Sequence, residues 1–144
     1  MNKDKGFTLL ELTVVMFLVG LMLSLAGVLF SNTLPSSKFS ATTREMAATI
    51  RHARTLAQLK GENQTVTIDM EARKYGIDNV TAKDIPPGIS VKIIDPLSGD
   101  VQTGKYQFNF PSIGGIEGGT IVLWNSKKTA RIEIDPIVGA AVVK

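Results

Sequence analysis

The chain has 144 residues, 44% of them apolar and 20% charged, with a formal net charge of +3: enough for one domain and too few for two. It contains no cysteine and a single histidine, His52, which excludes disulfide scaffolds, thiol catalysis and cysteine- or histidine-rich metal sites and argues against a hydrolytic triad. A charge of +3 is too small to argue for nucleic-acid binding.

The apolar residues are unevenly spread. Between Glu11 and Lys38 lie 26 residues without a charge. The chain opens Met1-Asn2-Lys3-Asp4-Lys5-Gly6, continues Phe7-Thr8-Leu9-Leu10-Glu11, and then runs from Leu12 to Phe30 with only Thr13 and Ser24 as polar side chains. Counted from Phe7 to Phe30, the segment makes a helix roughly 36 Å long. A bilayer core is about 30 Å thick, so it spans with some tilt. Lys3 and Lys5 precede it closely and no cation follows before Lys38, an asymmetry that favours a cytoplasmic amino terminus.

Three readings compete for this segment. A cleaved secretory signal finds a loose small-x-small site at Ser24-Leu25-Ala26, but a cut there leaves Gly27 to Phe30 as an apolar end. A plain transmembrane anchor leaves Glu11 unexplained, because a carboxylate near the centre of a membrane helix costs about 2.5–3.5 kcal/mol, less toward the interface. The third reading accounts for both Gly6 and Glu11. Lys5-Gly6-Phe7-Thr8-Leu9-Leu10-Glu11-Leu12 closely resembles the processing signal of type IV pilins and type II secretion pseudopilins. The resemblance implies that a membrane prepilin peptidase cuts between Gly6 and Phe7 on the cytoplasmic side, removes residues 1–6 and methylates the new amine of Phe7. Glycine suits a scissile position because no side chain obstructs its backbone. The cut creates a cation four residues before Glu11, and pairing the two charges in a low-dielectric setting recovers part of the desolvation each suffers. The resemblance assigns the pairing to neighbouring chains in a filament. Gly20, Ser24 and Gly27 fall along one helix face, consistent either with a close-packing stripe or with the ordinary abundance of glycine in membrane helices.

Asn32-Thr33-Leu34-Pro35-Ser36-Ser37 reads as a weak point or kink, since Pro35 removes a helical hydrogen bond. Phe39, Met46, Ile50, Ala53 and Ala57 then recur at sevens, fours and threes, which predicts an amphipathic helix to about Lys60, ended by Gly61. Beyond Gly61 the period becomes two: Val66, Ile68 and Met70 alternate with polar residues, and after a turn at Glu71-Ala72-Arg73 the pattern resumes at Tyr75 and Ile77 as a hairpin. Further strands are predicted over 89–94, 106–110, 121–124, 131–135 and 140–143. Turns this closely spaced favour antiparallel sheets over βαβ units, so the fold class is α+β: a long amino-terminal helix whose second half packs on β-structure. The domain layout is a leader over 1–6, a transmembrane helix over 7–30 and a globular domain over 31–144.

The soluble part also resembles one branch of the pilin superfamily, the minor pseudopilin H (GspH-like) of type II secretion. The stretches that carry this are Ile50 to Ala57, Gln64 to Asp69, Glu71 to Tyr75, Ile85-Pro86-Pro87-Gly88-Ile89, Phe110-Pro111 with Gly118-Gly119, and Ile132 to Asp135. The chain departs from the branch at Ser112-Ile113, where an acidic-glycine pair is usual, and at Pro136, where an aromatic is common.

Other chemistry finds little purchase. Gly114-Gly115-Ile116-Glu117-Gly118-Gly119 imitates phosphate-loop spacing, but Thr120 occupies the lysine position and a strand follows; a hairpin or partner-contacting loop is expected. His52 has no second ligand in the sequence and reads as a surface histidine. Arg51, Arg54 and Lys60 form a basic strip without interleaved aromatics, diluted by Glu45 and Glu62, and read as a solvated helix face. Asp95, Ser98 and Asp100 offer oxygens without the ordered spacing of a calcium loop. The expectation is therefore a structural protein, with no cofactor, no metal and no catalytic residue: a minor pseudopilin of the bacterial inner membrane with its globular domain in the periplasm. The resemblance implies partners among other minor pseudopilins, the major pseudopilin, prepilin peptidase, the inner-membrane assembly platform and, before assembly, membrane lipid. The rival is a minor type IV pilin for pilus assembly or DNA uptake, which calls for a basic surface; Pro136 to Val143 carries no charge, and nucleic acid is not expected as a partner.

Overall fold

A computed structural model describes residues 7–116 and 118–144, with backbone only for 28–35 and 81. The leader over 1–6, and Gly6 with it, lies outside the described residues. One helix, α1, runs Leu9–Lys60. It starts at Thr8, whose Oγ1 accepts the Glu11 amide at 3.2 Å, and it stops at Gly61, whose φ of 67° suits the left-handed residue that closes a helix. The expected interruption at Asn32–Ser37 does not end it. Pro35 lacks one amide donor, and the helix continues through it on the remaining bonds. The chain divides into two units, Met1–Pro35 and Ser36–Lys144.

In the second unit the helix offers the anticipated stripe. Phe39, Met46, Ile50, Ala53 and Ala57 are all buried, joined by Ala47, and by Thr43, which donates its hydroxyl to the Phe39 carbonyl at 2.9 Å. Nine strands follow: β1 Gln64–Asp69, β2 Lys74–Ile77, β3 Thr81–Asp84, β4 Ser90–Asp95, β5 Gly99–Val101, β6 Lys105–Phe110, β7 Gly119–Trp124, β8 Thr129–Ile134 and β9 Ala141–Val143. They form two sheets, ordered β3-β2-β1-β6 and β5-β4-β7-β8-β9, with every neighbouring pair antiparallel. The arrangement is the pilin-like α+β fold expected from the sequence.

Alternation along the longer strands fills the core. Val66 and Ile68 of β1, Phe108 and Phe110 of β6, Val91 and Ile93 of β4, Ile121 and Leu123 of β7, and Ile132 and Ile134 of β8 point inward with the helix stripe. Burying each such aliphatic or aromatic side chain contributes about 1.5–3 kcal/mol. Two elements depart from the sequence expectation. β3 reads Thr-Ala-Lys-Asp and β5 Gly-Asp-Val; both are short edge strands that lack alternation, held by pairing with β2 and β4. β7 starts two residues before the predicted Ile121, because Gly119 pairs with Ile134. Glycine is required there: a Cβ would stand 2.9 Å from the Phe108 ring.

Four turns share one device, an Asx side chain that accepts the two amides ahead of it. Asp69 Oδ1 accepts from Glu71 and Ala72, Asp95 Oδ1 from Leu97 and Ser98, Asn125 Oδ1 from Lys127 and Lys128, and Asp135 Oδ1 from Ile137 and Val138.

Candidate functional site: an exposed apolar helix headed by Glu11

Among the described residues, Phe7 to Gly27 presents mostly apolar surface. Phe7 is 83% exposed and Leu9 84% exposed, and the large side chains from Leu10 to Leu25 stand open to the surroundings. Leu9–Gly27 is 19 residues, long and apolar enough to cross a membrane. Its two hydroxyl side chains are satisfied within the helix: Thr13 donates to the Leu9 carbonyl at 2.8 Å and Ser24 to the Gly20 carbonyl at 3.0 Å. No hydroxyl proton is therefore stranded on a surface meant for lipid or other helices. Gly20 and Gly27 have open space where a Cβ would sit.

Glu11 occupies the third position of the helix, in its first turn. Thr8-Leu9-Leu10-Glu11 has the spacing of a capping box, in which a hydroxyl serves the amide three residues on, and Thr8 Oγ1 does accept the Glu11 amide. Thr8 is a residue the sequence reading passed over, although its Thr-x-x-Glu signature is plain. A carboxylate in the first turn also faces the positive end of the helix dipole, which is favourable by about 0.3–1 kcal/mol. Among the described residues the Glu11 side chain meets no hydrogen-bond or ion-pair partner. Phe7 lies four residues away along the chain, and its bond to Gly6 falls at the edge of the described residues.

The remaining candidates are accounted for by packing. Arg51 and Lys60 are exposed, as a solvated face requires, while Arg54 is half-buried and both arginines are engaged. Arg51 donates to the Ala141 carbonyl of β9 at 3.0 Å, and Arg54 donates to the carbonyls of Pro111 at 2.8 Å and Gly114 at 3.2 Å. These guanidinium groups fasten the helix to the β6–β7 loop and to the last strand, a packing role added to the expected solvated face. Planar donors that reach two carbonyls at once suit this task better than an ammonium. Arg54 Nε is buried without a partner. The glycine-rich stretch is the β6–β7 connection held by Arg54, with Glu117 outside the described residues. His52 is exposed on the helix and borders a 310 Å³ groove with Ala48, Ile77, Val80 and Lys83.

Asp95, Ser98 and Asp100 do not converge on an ion. Asp95 spends Oδ1 on the turn and accepts the Tyr106 hydroxyl on Oδ2 at 2.7 Å, while Asp100 pairs with Lys92 at 2.8 Å. The Leu97 amide and the Tyr106 hydroxyl hold Asp95 below the usual carboxylate range. Among the described residues no three His, Cys, Asp or Glu side chains are grouped to hold a metal. A cluster the sequence did not announce joins Glu45, Lys83 and Tyr75. Lys83 Nζ lies 2.6 Å from Glu45 Oε1 and lowers its pKa, while burial pushes the Tyr75 hydroxyl up. Its role is to fasten β3 and β2 to the helix.

A family model described as the prokaryotic N-terminal methylation motif matches residues 1–27. The match covers the amino-terminal segment alone, and there the chain is similar to type IV pilin-like proteins. No curated protein and no solved structure matches the chain.

Proposed function

We propose that this chain is a minor pseudopilin, a non-catalytic subunit of the type II secretion pseudopilus that supports export of folded proteins across the outer membrane. The observation that carries the reading is a methylation motif over 1–27 followed by a wholly exposed apolar helix with a single carboxylate, Glu11, in its first turn. Prepilin peptidase cuts between Gly6 and Phe7 and the Phe7 amine is methylated, which keeps its positive charge. In the bilayer the Glu11 carboxylate is a liability of about 2.5–3.5 kcal/mol near the centre and less near the interface. Beside the Phe7 amine of an adjoining subunit it becomes half of an ion pair, so leaving the lipid for the filament is favoured. The GspH-like stretches of the globular domain support the secretion branch and a place at or near the filament tip, among other minor pseudopilins, the major pseudopilin and the inner-membrane platform. The amino terminus then faces the cytoplasm and residues 31–144 the periplasm. A DNA-uptake pilin is the weaker reading, since Arg51 and Arg54 are occupied with backbone carbonyls.

Mass spectrometry of the mature chain tests the processing: an amino terminus at methylated Phe7 is expected, and any other terminus removes the mechanism. Deleting the chain should stop export of folded proteins and leave surface pili and DNA uptake intact; the opposite pattern would assign it to a pilus.

A further inference from the structure

The sequence Asp-Pro-aliphatic-x-Gly occurs twice, as Asp95-Pro96-Leu97-Ser98-Gly99 and Asp135-Pro136-Ile137-Val138-Gly139. The two copies fold alike. Each aspartate accepts the two amides ahead of it, and each glycine has positive φ, 80° at Gly99 and 71° at Gly139. Each turn thereby holds its third residue out into solvent on a fixed backbone. The register places both turns at one end of the second sheet, because Ile94 pairs with Thr120, Gly119 with Ile134, and Ile134 with Ala141. β4 and β8 are separated by β7 alone, so the turns stand roughly 10 Å apart. The β6–β7 loop arrives at the same end and packs on the second turn, with the Ile116 amide donating to the Pro136 carbonyl at 3.0 Å.

The result is a crown of aliphatic tips: Leu97 at 92% exposure, Ile113 at 90%, Ile137 at 82% and Val138 at 67%. Four side chains of this size together offer on the order of 500 Å², the size of the largest apolar patch on a typical monomer, which is often a contact site. The same area falls short of the ~800 Å² that each partner of a stable complex buries. It therefore needs an occupant already held close by another contact. Charge selects among occupants. Asp95 and Asp135 border the crown, and the cations near it are engaged: Lys92 with Asp100, Lys144 with Glu133, and Arg54 with loop carbonyls. This acidic margin repels anionic lipid, whereas a protein face that is apolar with a cationic margin fits.

We infer that this crown docks the globular domain of a neighbouring subunit that is itself held in the same membrane or filament by an apolar amino-terminal helix. The inference rests on the function proposed above. To test it, a photoreactive benzophenone side chain replaces Ile137 in the full chain, made in its native cells, with the same group at exposed Val80 as the comparison. Illumination should give an adduct at position 137 whose partner, identified by mass spectrometry, carries its own amino-terminal methylation motif. Adding Leu97→Ser and Ile113→Ser should cut that adduct about tenfold, the loss expected when exposed apolar anchors are truncated, without changing the melting temperature. Equal adducts at 137 and 80, adducts to lipid or to a soluble protein without such a motif, or no adduct at all would overturn the inference while leaving a processed chain intact. A chain that keeps residues 1–6 in the same cells sinks the proposed function, and this inference with it.

Discussion

Single side chains decide how the helix of the globular unit is fastened, and Arg54 does most of it. Its guanidinium holds the carbonyls of Pro111 and Gly114, and the missing Cβ of Gly139 leaves room for it, since an added carbon would lie 3.1 Å from Nε. Arg54→Met keeps the stem and deletes both bonds, so thermal unfolding should show a loss of about 1.5–3 kcal/mol. Arg54→Lys should recover only part of it, because an ammonium does not span two carbonyls with a fixed fork; full recovery would contradict the bidentate account. The aspartates of the turns act through pH. The Val138 and Ile137 amides lower the Asp135 pKa below its unfolded value of about 3.9, so the ionised form favours the fold. That contribution is complete above about pH 4 and disappears as pH falls through the folded value. Asp135→Asn keeps an acceptor oxygen and removes the titration. Its melting temperature should decline less steeply than that of the parent on going from neutral to acid pH, and identical slopes would show that Asp135 is not part of the acid response.

At the scale of elements, the parts that bury a regular stripe were legible. The spacing of Phe39, Met46, Ile50, Ala53 and Ala57 announced the buried helix face, and the alternation of Val66, Ile68, Tyr75 and Ile77 announced the first hairpin. β3 and β5 were not legible, since Thr81–Asp84 and Gly99–Val101 owe their conformation to the neighbour they pair with and not to their own pattern. The fastening role of Arg51 and Arg54 was not legible for a similar reason: their carbonyl partners lie 90 and 57 residues away in sequence. Gly61 was legible as a stop and its geometry says why. It sits at φ 67° with open space around the missing Cβ, so Gly61→Ala suffers backbone strain alone, about 1 kcal/mol. A drop of a few degrees in melting temperature is expected, and Gly61→Asn should lose less, since asparagine tolerates the left-handed region. An alanine variant as stable as the parent would mean that the helix end relaxes to another cap.

For the whole molecule, the apolar residues serve two separate ends. Those of the Ser36–Lys144 unit form one core that begins at Phe39, and among the described residues each buried hydrophobic side chain belongs to that unit. The side chains of Leu9–Gly27 are not buried. An exposed apolar helix of this length is stable only among lipid tails or other such helices, which is why an amino-terminal methylation motif and a free-standing core belong together in one chain. The division makes a quantitative expectation possible. A fragment starting at Ser36 retains the full buried stripe of the helix and both sheets, so it should be soluble without detergent and unfold in a single cooperative transition. The complete chain should need detergent or lipid and show the same transition within a few degrees, because no described side chain from Phe7 to Gly27 is buried. A fragment that is unfolded, or that melts far below the complete chain, would show that the apolar helix is part of the folding unit. In that case Glu11→Gln could not be read as an assembly defect alone. If the fragment folds as expected, Glu11→Gln should leave its parent chain membrane-bound and folded and lower its incorporation into filaments by about tenfold or more, the effect of leaving a charge in an apolar helix bundle without its partner.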